Sequence, residues 1–267
     1  MVFIIAEAGV NHNGSLDLAF KLIEVAKQSG ADAIKFQTFK SEKVISKFAE
    51  KAEYQKETTG ENESQLEMVK KLELSYNDFI KIKERCEKLN IMFISTPFDL
   101  DSVDFLNDLN VDIIKIGSGD VTNHLMLKRI AKTGKKVILS TGMSNMEEVK
   151  NSVNCLIKNG CSNLSILHCV SCYPTNHDDL NLKCIKSLHD QFKIPIGFSD
   201  HTTGFKASVY SVCLGAEIIE KHFTLDKNMV GPDHRASLNP EELEKFISEI
   251  RECEVMMGDG IKRCRPN

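Results

Sequence analysis

Two short stretches of this chain set a histidine within two residues of a carboxylate, Ser199-Asp200-His201 and, with a lysine between them, Glu220-Lys221-His222. Two imidazoles from neighbouring elements, with carboxylates beside them, suit a divalent ion that keeps open positions for substrate and water. The competing reading of the same residues is a pair of ordinary hydrogen-bonded core histidines. Lys35 and Lys115 lie inside apolar runs, where an ammonium needs an anionic partner or a chemical task. Lys115 leads into Gly117-Ser118-Gly119, and Ser140-Thr141-Gly142 closes another run. Backbone N–H groups and hydroxyls in such turns cradle phosphate, so the set points to an anionic substrate. Cys169 and Cys172 form one C-x-x-C pair without a second, which reads as inert thiols and not as structural zinc.

Eight apolar runs must position these groups, at residues 3–7, 33–37, 91–96, 113–118, 137–141, 164–168, 194–199 and 218–222, and nearly every one ends in polar or ionisable residues. Segments of helical period follow them, at 16–28, 77–89, 101–109, 123–132, 146–157, 181–192, 205–214 and 240–257. Eight βα repeats require a parallel sheet with right-handed crossovers and predict one TIM (β/α)8 barrel over residues 1–267. A doubly wound sheet is the weaker alternative, because Gly9-Val10-Asn11-His12-Asn13-Gly14 is a poor dinucleotide turn. Side chains alternate along a strand, so Lys35 with Gln37, Ser199 with His201, Glu220 with His222, and Glu7 with Ile5 share inward parity. Their polar ends then meet at the C-terminal rim, where barrel enzymes react. One connection, residues 39–74, is far longer than the rest and reads as a functional lid or a disordered loop, with Lys43, Lys47, Lys51 and Lys56 as a solvated surface.

The formal net charge of −4 and a pI near 6.1 argue against nucleic-acid or membrane-surface binding. No run approaches the ~20 apolar residues of a membrane span, and the start lacks a basic n-region. Nine scattered cysteines fit reduced thiols, so a cytoplasmic enzyme is expected.

The motifs Ile5-Ala6-Glu7-Ala8-Gly9-Val10-Asn11-His12, Lys35-Phe36-Gln37-Thr38, Ser95-Thr96-Pro97-Phe98 and Lys115-Ile116-Gly117-Ser118-Gly119-Asp120 resemble the sialic acid synthase family. So do Ser140-Thr141-Gly142-Met143, Tyr173-Pro174-Thr175, Gly197-Phe198-Ser199-Asp200-His201-Thr202, Glu220-Lys221-His222-Phe223 and Gly231-Pro232-Asp233-His234, in that order. The resemblance implies condensation of phosphoenolpyruvate with an open-chain N-acyl hexosamine, N-acetylmannosamine by default, to a nine-carbon 2-keto-3-deoxy acid and phosphate. It also implies Mn²⁺ or Mg²⁺, with His201 and His222 as the protein ligands and Glu7 and Glu220 near the ion and its water. By the same resemblance Lys35, Thr96, Lys115, Ser118, Ser140 and Ser199 bind phosphoenolpyruvate with Gln37 in support. Tyr173 and Asp233 contact the sugar, and Asp120 stands where the family more often has Glu. The family further implies a homodimer and a C-terminal antifreeze-like domain that lends an arginine. With the sequence stopping at Asn267, the expectation is that this role is absent, or is supplied by a separate antifreeze-like domain protein, or that the substrate differs. Two rival readings stay open on the residues: a class I aldolase with Lys115 as Schiff-base lysine, and a catalytically altered barrel acting with a partner.

Overall fold

The computed structural model describes residues 1–51, 55 and 63–264. Its strands are β1 (Phe3–Gly9), β2 (Ala33–Thr38), β3 (Met92–Pro97), β4 (Ile113–Ile116), β5 (Lys136–Ser140), β6 (Leu164–His168), β7 (Ile196–Asp200) and β8 (Ile218–His222). All neighbours pair in parallel and β8 returns to β1, so the expected (β/α)8 barrel closes. Each strand is buried on both faces, which is why it reads as an apolar run and not as an alternation. Outward residues such as Ile4, Ile34, Ile114, Leu139 and Ile219 pack under the helices. Inward residues Ile5, Ala33, Ile94, Ile113, Ile138, Leu167 and Ile218 form a separate apolar layer inside the barrel.

Two residues further along each strand the same inward parity selects Glu7, Lys35, Thr96, Lys115, Ser140, Cys169, Ser199 and Glu220, all buried. The barrel interior thus changes from wholly apolar to almost wholly polar within one layer. Each buried aliphatic side chain beneath contributes about 1.5–3 kcal/mol, which offsets part of the cost of burying that polar layer.

The outer helices are α1 (Leu16–Gln28), α2 (Ser41–Val44), α3 (Gln65–Leu72), α4 (Tyr76–Leu89), α5 (Leu100–Asp108), α6 (His124–Ala131), α7 (Met146–Lys158), α8 (Cys184–Phe192), α9 (Lys206–Cys213) and α10 (Pro240–Met257). Predicted helix limits hold for α1 and α10 and elsewhere shift by one to three residues. The caps explain several ends: Ser75 with Asp78, Asn145 with Glu148, and Asn239 with Glu242 form reciprocal capping boxes, each cap worth about 1 kcal/mol.

The long connection is more structured than a loop. Among its described residues α2 and α3 pack together, and α3 starts at a Ser64–Glu67 capping box. Glu73 accepts from the Ser41 amide at 2.8 Å, the Ser41 hydroxyl at 2.7 Å and Lys40 Nζ at 3.1 Å. Asp99, at the start of α5, holds the Lys40 amide at 2.9 Å, so the segment is tied down at its root. Its far side lies against the β1–α1 turn: a methyl on Gly14, whose φ is +71°, would sit 2.2 Å from the Lys71 carbonyl oxygen. Lys51 departs from the solvated reading. It is buried and pairs with Glu63 at 3.1 Å, because a segment folded back on itself encloses its own charges. Lys43 and Lys47 are exposed as expected, and Lys56 lies outside the described residues. No helix among the described residues is long and apolar enough to cross a membrane.

Candidate active site

Lys35 is the centre of the polar layer. Its Nζ lies 2.7 Å from Glu7 Oε2 and 2.9 Å from Glu220 Oε2, with both carboxylates and the lysine buried. The register makes this possible: Glu7 pairs with Lys35 on one side and with His222 on the other, and Ser199 pairs with Glu220. Lys115 Nζ donates to Ser140 Oγ at 2.7 Å and to the Ile116 carbonyl at 3.2 Å, and stands 3.7 Å from Glu220 Oε1. Ser199 donates to that same Glu220 oxygen at 2.8 Å. The lysines of β2 and β4 and the carboxylates of β1 and β8 are therefore one continuous network.

Burial pulls the Lys35 ammonium down to about 7, opposed by the charge of Glu220 and reinforced by that of Lys115. Glu220 responds in the other direction: burial would raise it, but Lys115 and Lys35 together hold it far below the usual carboxylate range. An incoming anion favours the charged form of Lys35, so binding takes up a proton at any pH where free Lys35 is largely neutral. Phosphoenolpyruvate is thus expected to bind most tightly below pH 7 and to weaken by up to about tenfold per pH unit above it. Calorimetry at pH 8 in two buffers of different ionisation enthalpy should show net proton uptake. Absence of uptake at pH 8 would mean that Lys35 stays charged without the ligand.

On the β4, β5 and β6 side, Ser118 Oγ and Ser171 Oγ are 3.0 Å apart, and a methyl on Gly142 would meet both at 2.4 Å. Gly142 (φ +42°) is needed for this approach as much as for its turn. Ser171 was not among the predicted residues; it lies in the segment after β6, where strand parity gives no guidance. Thr96 Oγ1 is buried with no hydrogen-bond partner among the described residues, a free group facing the polar layer. The Cys169 thiol accepts from the Gly142 amide at 3.1 Å and is pushed up by burial, which agrees with an inert thiol.

His201 and His222 come together at the mouth, their ring centroids 5.7 Å apart. His201 Nδ1 lies 2.6 Å from the Val170 carbonyl and must donate to it, so Nε2 carries the lone pair. The Tyr173 hydroxyl lies 3.0 Å from that Nε2. Burial lowers His201 to about 4 and takes His222 well below its ordinary value, the neighbouring His201 adding to the latter. Both rings are therefore neutral at physiological pH. His222 Nδ1 is buried without a hydrogen-bond partner among the described residues, and so is Glu7 Oε1. Gly9, at an irregularity of β1, leaves the gap between them: a methyl there would lie 3.1 Å from Glu7 Oε1, 3.5 Å from His222 Cε1 and 3.6 Å from Gln37 Nε2. Among the described residues no three His, Cys, Asp or Glu converge as a closed cage. Two neutral imidazoles, one oriented by a backbone carbonyl and one with an unused buried nitrogen, nonetheless fit an open-sided divalent site.

Asp200 and Lys221 do not join this site, although they stand beside its histidines in sequence. They have the opposite parity and pair at 3.2 Å beneath the helices, where Asp200 also accepts from the Thr202 amide at 2.8 Å and Ser208 Oγ at 2.6 Å. Asp120 sits on the 3₁₀ turn Ser118–Asp120, bonded to Asn123 at 3.0 Å, and burial raises its pKa. Asp233, raised to about 6 by burial, lines a cavity together with Gln37, Tyr173 and His222. His168 is structural, bonded to the Leu180 carbonyl at 2.7 Å, and His234 is bonded to Thr224 at 2.7 Å.

A closed β/α barrel with paired lysines, carboxylates and neutral imidazoles buried at its C-terminal rim is the architecture of a barrel enzyme acting on anionic substrates. The NeuB family model matches residues 22–262. An N,N'-diacetyllegionaminic acid synthase of Campylobacter jejuni is 55% identical, the match covering 97% of this chain and 78% of that protein. The N-acetylneuraminate-9-phosphate synthase of Homo sapiens is 39% identical, over 99% of this chain and 73% of its own length. The crystal structure of an N-acetylneuraminic acid synthetase from Leptospira borgpetersenii, in complex with citrate, superposes with a TM-score of 0.88 at 39% identity, covering 99% of this chain and 87% of the other. The chain belongs to the NeuB family.

Proposed function

We propose that this protein is a transferase that condenses phosphoenolpyruvate with an open-chain N-acyl hexosamine, giving a nonulosonic acid and releasing phosphate by C–O cleavage. The observation that carries the reading is the buried Glu7–Lys35–Glu220–Lys115 network, in a chain of the NeuB family. Two ammoniums with adjoining hydroxyls at Ser140, Ser118, Thr96 and Ser199 suit the carboxylate and phosphate of phosphoenolpyruvate. Its anionic groups compete with Glu220 for Lys35 and Lys115. As they neutralise the lysines, the Glu220 carboxylate regains basicity and becomes able to take a proton from water. That water adds to C2 after C3 of phosphoenolpyruvate has attacked the aldehyde carbon. Collapse of the resulting tetrahedral carbon breaks the C–O bond to phosphate, whose developing charge the two lysines stabilise.

Mn²⁺ or Mg²⁺ held by His201 and His222 is part of the proposal and would supply Lewis acidity at the sugar's carbonyl oxygen. In this reading Tyr173 and Asp233 contact the sugar, with N-acetylmannosamine as the default acceptor; both line the cavity beside His222. A homodimer and an antifreeze-like domain protein as partner belong to the same reading, and sedimentation with and without such a protein tests both.

The decisive assay is phosphate release from phosphoenolpyruvate with Mn²⁺ and a panel of N-acyl hexosamines. No release with any aldose would sink the synthase reading, and turnover surviving exhaustive chelation would remove the metal from it. His201→Ala should lower metal-dependent turnover by roughly three orders of magnitude while the circular dichroism spectrum is unchanged. Full activity in that variant refutes the ligand assignment.

A further inference from the structure

The nine cysteines are all free, and one pair stands close together. Cys213, the last residue of α9, has its sulfur 3.6 Å from that of Cys253 in α10. These two helices pack side by side. Each follows a parallel strand, so both run from the rim toward the opposite end of the barrel. Phe205 and Phe246 meet edge to face at 5.9 Å near the rim end of the seam. Cys213 follows Phe205, and Cys253 follows Phe246, by about two helical turns. One packing register therefore brings both pairs together. The Cys253 sulfur also lies 3.9 Å from the Val209 carbonyl, one turn before Cys213.

Exposure divides the pair. Cys213 is open to solvent, whereas Cys253 is 4% exposed. Burial, with the Cys213 thiol beside it, raises the Cys253 thiol to about 11. The seam ends far from the polar layer at the rim, so no step of the proposed reaction uses either sulfur.

We propose that Cys213 and Cys253 are a covalent modification site: a low-molecular-weight disulfide, such as oxidised glutathione, closes them into a reversible disulfide that ties α10 to the barrel. The inference is independent of the synthase reading. The Cys213 thiolate attacks one sulfur of oxidised glutathione, whose S–S bond breaks and releases one glutathione thiolate. Cys253 then gives up its proton and attacks the Cys213 sulfur, which expels the second glutathione. Two electrons and two protons pass from the protein thiols to the two glutathione thiols. The protein sulfurs must close from 3.6 Å to about 2.05 Å, less than one ångström for each. Cys213 can make that shift because α9 ends there and the chain turns away at Gly215, whose φ is +94°. The closed loop, residues 213–253, contains Glu220, His222 and Asp233. Cross-linking it restricts the unfolded chain and fastens the last helix, an element that otherwise opens readily.

The test incubates the folded protein with oxidised glutathione at pH 8, blocks the remaining thiols by alkylation and digests without reductant. Tryptic peptides 207–221 and 252–262 hold one cysteine each. They should appear joined, lighter than their sum by two hydrogen atoms, and dithiothreitol should separate them. The oxidised protein should melt at least about 5 °C above the reduced one. Cys213→Ser should abolish both the joined peptide and the shift. In Cys253→Ala, Cys213 should stop as a mixed disulfide with glutathione. A wild type that stops at that mixed disulfide, a Cys213 joined to any other cysteine, or a melting temperature unmoved by the joined bond overturns the inference.

Discussion

Glu220→Gln should lower kcat by about three orders of magnitude while the Michaelis constant for phosphoenolpyruvate falls. The amide keeps the shape of the side chain and can still accept from Ser199. It removes the charge that faces Lys35 at 2.9 Å and Lys115 at 3.7 Å. A missing general base costs typically 10²–10⁴-fold, which accounts for kcat. The opposite change in the Michaelis constant, read at a pH low enough for Lys35 to keep its proton, follows from competition: with Glu220 neutral, the two ammoniums have one fewer internal partner and the substrate anion gains what the carboxylate loses. Stability should also drop, by roughly 3 kcal/mol, toward the lower end for breaking a buried pair, because Glu7 still holds Lys35. Steady-state kinetics with urea unfolding separates the effects. A kcat within tenfold of wild type, accompanied only by lost stability, would make Glu220 a structural counter-ion.

The second large effect is one of stability alone. Asp200→Asn should destabilise the barrel by about 3–5 kcal/mol, since it leaves the Lys221 ammonium buried with no carboxylate in direct contact. Lys221 is 1% exposed and its Nζ also donates to the Thr202 carbonyl, while burial already lowers its pKa. The double variant Asp200→Asn with Lys221→Met removes both charges and should recover most of the loss. Thermal or urea unfolding of the wild type, Asp200→Asn, Lys221→Met and the double variant forms the cycle. A double variant as unstable as the single one would show that the hydrogen bonds of Asp200 to Thr202 and Ser208, and not the ion pair, carry the energy.

These two carboxylates stand twenty residues apart in equivalent strand-end motifs, yet one belongs to the chemistry and the other to the scaffold. Strand parity separates them: Glu220 shares its side with His222, whereas Asp200 lies between Ser199 and His201 and points the other way. The eight apolar runs, their order and the inward parity of Glu7, Lys35, Lys115 and Glu220 were determined by sequence, because period-two and period-3.6 patterns reflect local backbone geometry. The same residue patterns carried the family resemblance.

Only the tertiary structure decided which inward residues touch. Lys35 bridges Glu7 and Glu220 because barrel closure sets β8 beside β1, a contact between residues more than two hundred positions apart. Ser171 reaches Ser118 through a segment with no periodic signal, and Gly142 is indispensable there because of what lies across from it. The segment from 39 to 74 read as a long loop with a solvated charged surface, yet among its described residues it folds into α2 and α3, buries Lys51 and walls a cavity above the rim. Local sequence specifies the direction of each side chain, whereas the charge partners, pKa values and cavity arise only when distant strands close into one low-dielectric interior.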